Sequence, residues 1–247
     1  MKRIDEKYRR VLQQYGLELV VICTEDEEQP VQNCEIDGNS VIITLNLPKI
    51  EASDSDYEGF LAFNVRRVLL PRLYMETERL IIRRYEREDA ASLYEMDHDR
   101  NSCYMDGGYE PSEKMDDEYF EKMETLVEDA GRYVIAHKST NEAFGLIHLM
   151  PVEDRVIDTM EIGYIVNPSR CRKGYAFEAV SGMLELLLEQ LHLDMVIAGA
   201  IEENVPSLNM LEKLGFEYEG RRHKAFWYPP VGPVDLLMFY KERKNAE

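Results

Sequence analysis

Three cations and a glycine stand together in a short loop, although the formal net charge of the chain is −19. The cations are Arg170, Arg172 and Lys173. An apolar run ends before them at Val166, and apolar residues with helical spacing begin after Gly174 at Ala176, which predicts a strand, a loop and a helix. The first turn of a helix offers unpaired N–H groups and the positive end of the helix dipole, and a glycine lets an anion approach the backbone. The loop predicts a phosphate site, although an ordinary turn with solvated cations has the same local pattern.

The segments after this loop predict further alternation of strands and helices. Met195–Ala200 reads as a short buried strand, and a second helix start follows with Asn204 or Ser207 as its cap. This helix stops at Gly215, and Val234–Tyr240 reads as a closing strand. The pattern indicates an α/β fold.

Three runs, read in this order and spacing, carry a resemblance to a known family: EIGYIVNPSRCRKGYAFEAV, NVPSLNMLEKLGFEYEG and VDLLMFYKER. They resemble the GNAT superfamily of acyl-CoA-dependent N-acetyltransferases, most closely its Rim-type branch, and Thr77–Arg83 resembles the first strand of that branch. The resemblance covers residues 75–247. It implies a GNAT fold, with a mixed, largely antiparallel sheet flanked by helices, and acetyl-CoA as co-substrate.

The resemblance also implies where coenzyme A binds. The pyrophosphate loop of the family falls on Cys171 to Ala176, where Gly174 and Ala176 match, while Cys171 replaces the usual Arg or Gln and Arg172 replaces a frequent glycine. We therefore expect the cation of this loop to come from Arg170 or Arg172. The implied cofactor-binding residues are Ile165, Val166, Cys171, Arg172, Lys173, Gly174, Tyr175, Ala176, Asn204 and Ser207.

Glu161 matches a glutamate that many members use as general base toward the acceptor amine, and it is the predicted catalytic residue. The alternative is a strand-end carboxylate in water or in an ion pair. In the family, a backbone amide near Ile165 or Val166 faces the thioester carbonyl, which implies an oxyanion donor here.

The usual general acid of the family is a tyrosine, and Leu211 occupies its place in this chain. Tyr164, His148 and Ser207 are the remaining candidates, unless water protonates the thiolate. Tyr164 and Trp227 also read as core or pocket-wall residues. A non-catalytic acyl-CoA-binding sensor therefore remains an alternative to a transferase that works by direct attack in a ternary complex. An interaction protein acting through its acidic face is a further alternative.

Residues 86–129 carry 16 Asp and Glu against 4 Lys and Arg, which gives −12 of the total charge of −19. Helices are predicted over Ala90–Met96 and Met115–Leu126, with a loop at Cys103–Tyr109 between them. The family places these segments around the acceptor, so an acidic mouth favours a primary amine on a cationic acceptor: a polyamine, an aminoglycoside or a protein N-terminus. The same charge is equally typical of a solvated surface.

Composition predicts a cytoplasmic protein. No apolar segment predicts a membrane association, and the negative charge argues against a nucleic-acid partner. The four cysteines, Cys23, Cys34, Cys103 and Cys171, are scattered, which predicts reduced thiols and no metal site. Cys171 lies beside cations at a helix start, so we expect a lowered pKa for its thiol.

Residues 1–74 predict a small α+β accessory domain, with a boundary near residue 75. The patterns indicate helices at Lys2–Tyr15 and Asp54–Leu70, a strand at Leu17–Cys23, and a hairpin of Val31–Glu35 with Val41–Leu45. Its expected role is packing, formation of a homodimer or covering of the acceptor groove.

Overall fold

The computed structural model of the chain describes residues 2–26, 28–52, 57–128 and 131–244. The chain divides into two units. One comprises residues 1–72 with 186–193, and the other comprises residues 73–185 with 194–247. The domain boundary near residue 75 stays a prediction. Within the described ranges, no helix is both long enough and apolar enough to span a bilayer.

In its described residues, the first unit has a three-stranded sheet and three α-helices. The strands are β1 (Glu18–Thr24), β2 (Gln32–Asp37) and β3 (Ser40–Asn46), and the helices are α1 (Lys2–Gln13), α2 (Leu47–Ala52) and α3 (Tyr57–Leu69). The central strand β3 pairs parallel to β1 and antiparallel to β2. The predicted helices, strand and hairpin are confirmed, except that residues 54–56 of the second predicted helix lie outside the described ranges.

Residues 186–193 belong to this unit through polar contacts with α3. The buried Arg66 donates from Nη1 to the carbonyl oxygen of Leu191 at 2.6 Å. Nδ1 of His192 lies 2.9 Å from Oε1 of Glu58.

The second unit is built on an eight-stranded sheet. Its strands are β4 (Tyr74–Glu76), β5 (Leu80–Arg84), β6 (Arg132–His137), β7 (Ala143–Pro151), β8 (Thr159–Val166), β9 (Met195–Ala200), β10 (Glu217–Tyr228) and β11 (Gly232–Glu242). The spatial order is β10-β11-β9-β8-β7-β6-β5-β4. Neighbouring strands are antiparallel except β8 and β9, which run parallel.

Five α-helices of the described residues accompany this sheet. They are α4 (Ala90–His98), α5 (Arg100–Asp106), α6 (Asp117–Glu128), α7 (Tyr175–Leu184), which continues as a π-helical turn at Glu185–Gln190, and α8 (Val205–Lys213). Leu93 of α4 and Met123 of α6 share a buried apolar cluster with Val134 and Leu146 of the sheet. This cluster holds the helices of the acidic segment on β6 and β7.

The prediction of a loop over Cys103–Tyr109 is wrong for its first half, because α5 extends to Asp106. The side chain of Asp99 accepts a hydrogen bond from the Ser102 N–H at 2.7 Å and caps the helix. Cys103 is fully buried, so tertiary packing stabilises a helix too short to be stable alone. Beyond α5, Gly108 has a φ of 67°, and a Cβ there would lie 1.8 Å from the Trp227 carbonyl oxygen. The chain after α5 therefore runs directly against the backbone of β10.

Candidate active site

The parallel strands β8 and β9 separate part-way along their length. Their pairing runs from Thr159 opposite Met195 to Glu161 opposite Ile197 and ends there. Both strands continue, β8 to Val166 and β9 to Ala200. The edge of β8 after Glu161 is thus no longer covered by β9, which leaves backbone groups for a ligand between the two strands.

The 171–176 loop joins β8 to α7 with two residues in the left-handed region. Arg172 has a φ of 61°, and Gly174, which stands directly before α7, has a φ of 79°. Glycine adopts this conformation without steric cost. The first N–H groups of α7, from Tyr175 to Phe177, have no intrahelical acceptor by the geometry of a helix, so the loop and this turn have the backbone arrangement expected of an anion site.

Polar contacts fix the shape of this loop from two sides. Glu95 of α4 accepts hydrogen bonds from the N–H and the hydroxyl of Ser169, both at 2.7 Å. Arg79 donates from Nη1 to the Lys173 carbonyl oxygen at 3.0 Å. Because the Lys173 carbonyl points toward Arg79, the N–H of the same peptide group points in the opposite direction.

Glu178 on the first turn of α7 holds Arg79 in turn. Its carboxylate accepts from Arg79 Nε at 2.6 Å, from the Arg79 N–H at 2.8 Å and from the Thr77 hydroxyl at 2.6 Å. Burial alone would raise the pKa of Glu178, but the hydrogen bonds from Thr77 and Arg79 hold it below its ordinary value. The Thr77–Arg83 segment thus helps to position the 171–176 loop.

The cations of the loop have different surroundings. Arg170 turns toward Glu142, with 3.5 Å between Nη2 and Oε2, and its guanidinium lies over the Phe144 ring at 5.7 Å. Arg172 and Lys173 are exposed. Of the two expected sources of a loop cation, Arg172 is therefore the better placed to meet a ligand.

The expected lowering of the Cys171 pKa is wrong. Partial removal from water raises the pKa of this thiol, Glu95 and Asp99 raise it further, and Arg172 only opposes them. The cations of the loop therefore do not activate this thiol, because partial burial and two nearby carboxylates oppose them.

The first turn of α8 is capped as the sequence indicates. The side-chain oxygen of Asn204 accepts a hydrogen bond from the Ser207 N–H at 3.2 Å. This bond leaves the NH₂ group of the Asn204 amide to donate elsewhere. The Ser207 hydroxyl lies 2.8 Å from the hydroxyl of Tyr164 on β8.

A cavity of about 410 Å³ lies beside the separated strands. Its polar wall consists of Asp106, Tyr109, Arg132, His148, Glu161 and Tyr164. Its apolar wall includes Met105, Leu146, Met150, Phe226 and Leu236. Gly163 and Gly199, which have no side chains, line it with backbone, and Ile165 lines it as well. Among the predicted site residues, this cavity brings together Glu161 and Ile165, whereas Val166, the 171–176 loop, Asn204 and Ser207 lie outside its lining.

Glu161 is half-buried in this cavity. Burial raises the pKa of its carboxyl, and Asp154 raises it further, while Arg222 opposes both. A raised pKa makes the ionised carboxylate a stronger base, as a proton acceptor from an ammonium group requires. The alternative of a fully solvated strand-end carboxylate does not fit this position.

Asp106 brings a second carboxylate to the cavity from the end of α5. Asp106 is exposed at the cavity rim, and partial loss of hydration together with the nearby Asp97 raises the pKa of its carboxyl, while Arg132 opposes the shift. Tyr109, from the same wall, donates to the buried Asp97 at 3.5 Å. Sequence reasoning had assigned residues 103–109 to the acceptor side without choosing among them, and it had no signal for Arg132, which enters from β6.

Two further expectations have clear outcomes. Trp227 is 58% exposed, so it is not a core residue, and it does not line this cavity, whereas its neighbour Phe226 does. Leu211 is fully buried. An aliphatic side chain there has no proton to give.

Comparison with known proteins agrees with this geometry. A sequence profile of the acetyltransferase (GNAT) domain matches residues 79–217. An uncharacterized N-acetyltransferase of Bacillus subtilis, YnaD, is 31% identical over 160 residues, which are 60% of this chain and 85% of that protein.

Two solved structures share the fold. The ribosomal-protein-S5-alanine acetyltransferase of Vibrio fischeri has a TM-score of 0.56 at 18% identity and covers 71% of this chain and 99% of its own. Spermidine N-acetyltransferase of Vibrio cholerae, solved with CoA and spermine, has a TM-score of 0.55 at 22% identity and covers 68% and 97%. At such identities the likeness concerns the fold, and the predicted mixed α/β architecture is confirmed.

Proposed function

The chain belongs to the Rim-like branch of the GNAT family of N-acetyltransferases, and we propose that it moves the acetyl group of acetyl-CoA to a primary amine of a cationic acceptor. The observation that carries the proposal is the cavity beside the separated strands. It holds the carboxylates of Glu161 and Asp106 among apolar walls. Residue 75 is the proposed start of the transferase domain.

The proposed acetyl-CoA site consists of the 171–176 loop and the opening between β8 and β9. The N–H groups before and within the first turn of α7 bind the pyrophosphate, and the exposed Arg172 and Lys173 add charge. Ile165 and Val166 lie on the part of β8 that β9 leaves uncovered, where a strand amide can bind the pantetheine arm or the thioester oxygen. Asn204 donates its amide NH₂ to the same arm.

In the proposed reaction, both substrates are bound together and no covalent enzyme intermediate forms. Glu161 accepts a proton from the ammonium form of the acceptor, directly or through water. The nitrogen lone pair then attacks the thioester carbonyl carbon, and a backbone donor near Ile165 or Val166 stabilises the oxyanion. When the intermediate collapses, the carbon–sulfur bond breaks, the electron pair leaves on sulfur, and the nitrogen loses its second proton.

Charge in the cavity supports the cationic acceptor. When ionised, the carboxylates of Glu161 and Asp106 outnumber the one positive charge on Arg132, and the acidic segment around them adds a field of the same sign. Spermidine, which is a polyamine, and an alanine of ribosomal protein S5 stand as acceptors in the names of two structural relatives. We propose a polyamine, an aminoglycoside-like molecule or a basic protein N-terminus as the acceptor class.

A matched acceptor panel tests this function. Radiolabelled acetyl-CoA is supplied with 1,4-diaminobutane and butylamine, with spermidine, with aminoglycosides, and with N-terminal peptides that differ only in basic residues. We expect kcat/KM to be at least tenfold higher for the more cationic member of each pair, and the ratio to shrink as salt screens the carboxylates. Equal rates within every pair would contradict the acceptor class, and a lack of any amine-dependent CoA release would contradict the transferase and favour an acyl-CoA sensor.

A further inference from the structure

The general acid is the part of the reaction that the chain lacks at its usual position. Leu211 stands there, and its side chain is fully buried. On a helix, a long side chain leans toward the N-terminus and covers the preceding turn. A tyrosine at 211 would therefore carry its hydroxyl over the turn that contains Ser207, one turn earlier on the same face of α8.

The first turn of α8 is contacted by a tyrosine hydroxyl from the sheet, that of Tyr164. Tyr164 on β8 lines the cavity together with Glu161 and Gly163. Its hydroxyl lies 2.8 Å from the Ser207 hydroxyl. The Asn204 cap fixes the Ser207 backbone, so this contact sits on an ordered helix start.

Both side chains belong to the opening where the thioester arm is proposed to bind. Tyr164 follows Glu161 on the part of β8 that β9 leaves unpaired, and Ser207 lies on the first turn of α8 with Asn204. Tyr164 therefore lines the acceptor cavity and also contacts α8, the helix whose first turn is proposed to bind the pantetheine arm.

We infer that Tyr164 is the general acid of this enzyme, donating its hydroxyl proton to the departing sulfur of coenzyme A, with Ser207 as its positioning residue. The inference rests on the proposed function. As the carbon–sulfur bond breaks, the electron pair stays on sulfur, which takes the Tyr164 proton and leaves as the thiol. The Ser207 hydroxyl donates to the phenolate oxygen, and the phenolate then regains a proton from water. Overall, the acceptor ammonium loses two protons: one is accounted for by the proton that the CoA thiol gains, and the other enters solvent.

The acidity of Tyr164 fits a donor rather than a base. Burial raises its pKa to about 12, and the hydrogen bond with Ser207 acts in the opposite direction. The phenol is therefore protonated near neutral pH, yet it remains a stronger acid than water, whose pKa is about 15.7. Since an alkyl thiolate is already a fair leaving group, we expect a contribution of about 10-fold to 100-fold, at the lower end of general acid catalysis.

The leaving group tests the inference. In Tyr164→Phe, kcat/KM with S-acetyl-pantetheine, whose thiol is basic, should fall about 10-fold to 100-fold, whereas S-acetyl-4-nitrothiophenol, whose thiolate needs no proton, should lose less than about 3-fold. The matched control is Tyr240→Phe, which removes a hydroxyl that donates to Glu217 at 2.8 Å outside the cavity lining. It should change neither rate. Equal losses for both thioesters in Tyr164→Phe would overturn the inference and leave Tyr164 a structural residue.

A binding measurement gives a second readout that does not depend on turnover. By calorimetry, Tyr164→Phe should weaken CoA binding about 3-fold to 10-fold, the usual worth of one hydrogen bond, while desulfo-CoA, which has no sulfur atom, should bind both proteins equally. A matching loss for both ligands would show that Tyr164 does not contact the sulfur, and the inference would fail.

Ser207→Ala provides an independent variant. It keeps the Tyr164 phenol and removes only its partner, so we expect the same leaving-group selectivity with a smaller loss of about 3-fold to 10-fold. Selectivity that is unchanged from wild type would remove Ser207 from the inference. If the wild-type protein acetylates no amine, the proposed function fails, and the CoA and desulfo-CoA comparison still decides whether Tyr164 contacts the sulfur.

Discussion

Gly174→Val separates the coenzyme site from the stability of the fold. Gly174 has a φ of 79°, and a Cβ placed on it would find only Arg79 Nη2, at 3.5 Å, which is an ordinary contact. The protein therefore has room for a side chain, and the cost within the fold is conformational. A non-glycine residue in the left-handed region costs roughly 1–2 kcal/mol, and a β-branched residue at positive φ is a rare outlier.

The effect on coenzyme binding should be larger than this conformational cost. If valine turns the loop toward negative φ, the amides on either side of position 174 no longer point at the pyrophosphate. A hydrogen bond to a charged group is worth about 1.5–3 kcal/mol, so the loss of two of them amounts to roughly 3 kcal/mol or more. Since about 1.4 kcal/mol corresponds to a tenfold change, we expect Kd for CoA to rise by roughly 100-fold.

Titration calorimetry with CoA measures this change, and S-acetyl-pantetheine provides the matched substrate because it lacks the pyrophosphate. Gly174→Val should slow acetylation from acetyl-CoA and leave acetylation from S-acetyl-pantetheine nearly unchanged. Gly38→Ala is the matched variant: its φ is 60°, and nothing lies within 4 Å of a Cβ there. It should lower Tm by about 2–4 °C per kcal/mol of strain without changing Kd for CoA. Normal CoA binding by Gly174→Val would refute the assignment of the 171–176 loop.

Three other predictions concern charged groups. Glu161→Gln should lower kcat by about 100-fold and leave Kd for CoA unchanged. In wild type, the acidic limb of the kcat/KM profile should have its midpoint above the ordinary glutamate pKa of 4.5, because burial raises the pKa of Glu161. This limb should disappear in the variant. A carboxyl whose pKa is raised in the folded state destabilises the fold only at pH values where it is ionised. Glu161→Gln should therefore have a higher Tm than wild type above the pKa of Glu161 and an equal Tm below it. A lower Tm at neutral pH would contradict the burial argument. Asp106→Asn should raise KM for 1,4-diaminobutane about tenfold and leave KM for butylamine within a factor of two, and an equal effect on both amines would remove Asp106 from acceptor recognition. Arg79→Gln should weaken CoA binding about tenfold by freeing the Lys173 carbonyl, as calorimetry can show, whereas Arg87→Gln, which removes only an exposed ion pair with Glu124, should bind CoA as wild type does.

The second helix of the acidic segment shows where sequence reasoning stopped. Gly107 and Gly108 punctuate the chain strongly, so the pattern predicted a loop over Cys103–Tyr109. The helix exists because Asp99 caps it and Cys103 is buried against its surroundings. The Asp99 cap lies within three residues of its partner, but the burial of Cys103 depends on neighbours that no short window contains, and with α5 the position of Asp106 was also hidden.

Several features of the proposed coenzyme site could be predicted from neighbouring residues. The strand before the 171–176 loop, the glycine at positive φ and the Asn204 cap follow from dihedral preferences and from hydrogen-bonding needs within a few residues. Glu161 was chosen because it matches the glutamate that many members of the family use as general base. Its raised pKa could not be predicted, since burial is a property of the packed cavity.

The amino-acid sequence by itself indicated the acetyltransferase family, the strand, loop and helix around residues 171–176 and the place of the proposed anion site, because each of these is written in neighbouring residues. Only the tertiary structure decided which side chains meet in the cavity. Tyr164 and Ser207 are 43 positions apart, and Arg79 reaches a carbonyl 94 positions away. Contacts over such separations arise when helices and strands pack, and packing also sets which charges lose their water, so chemistry that depends on proximity and burial appears only in the folded chain.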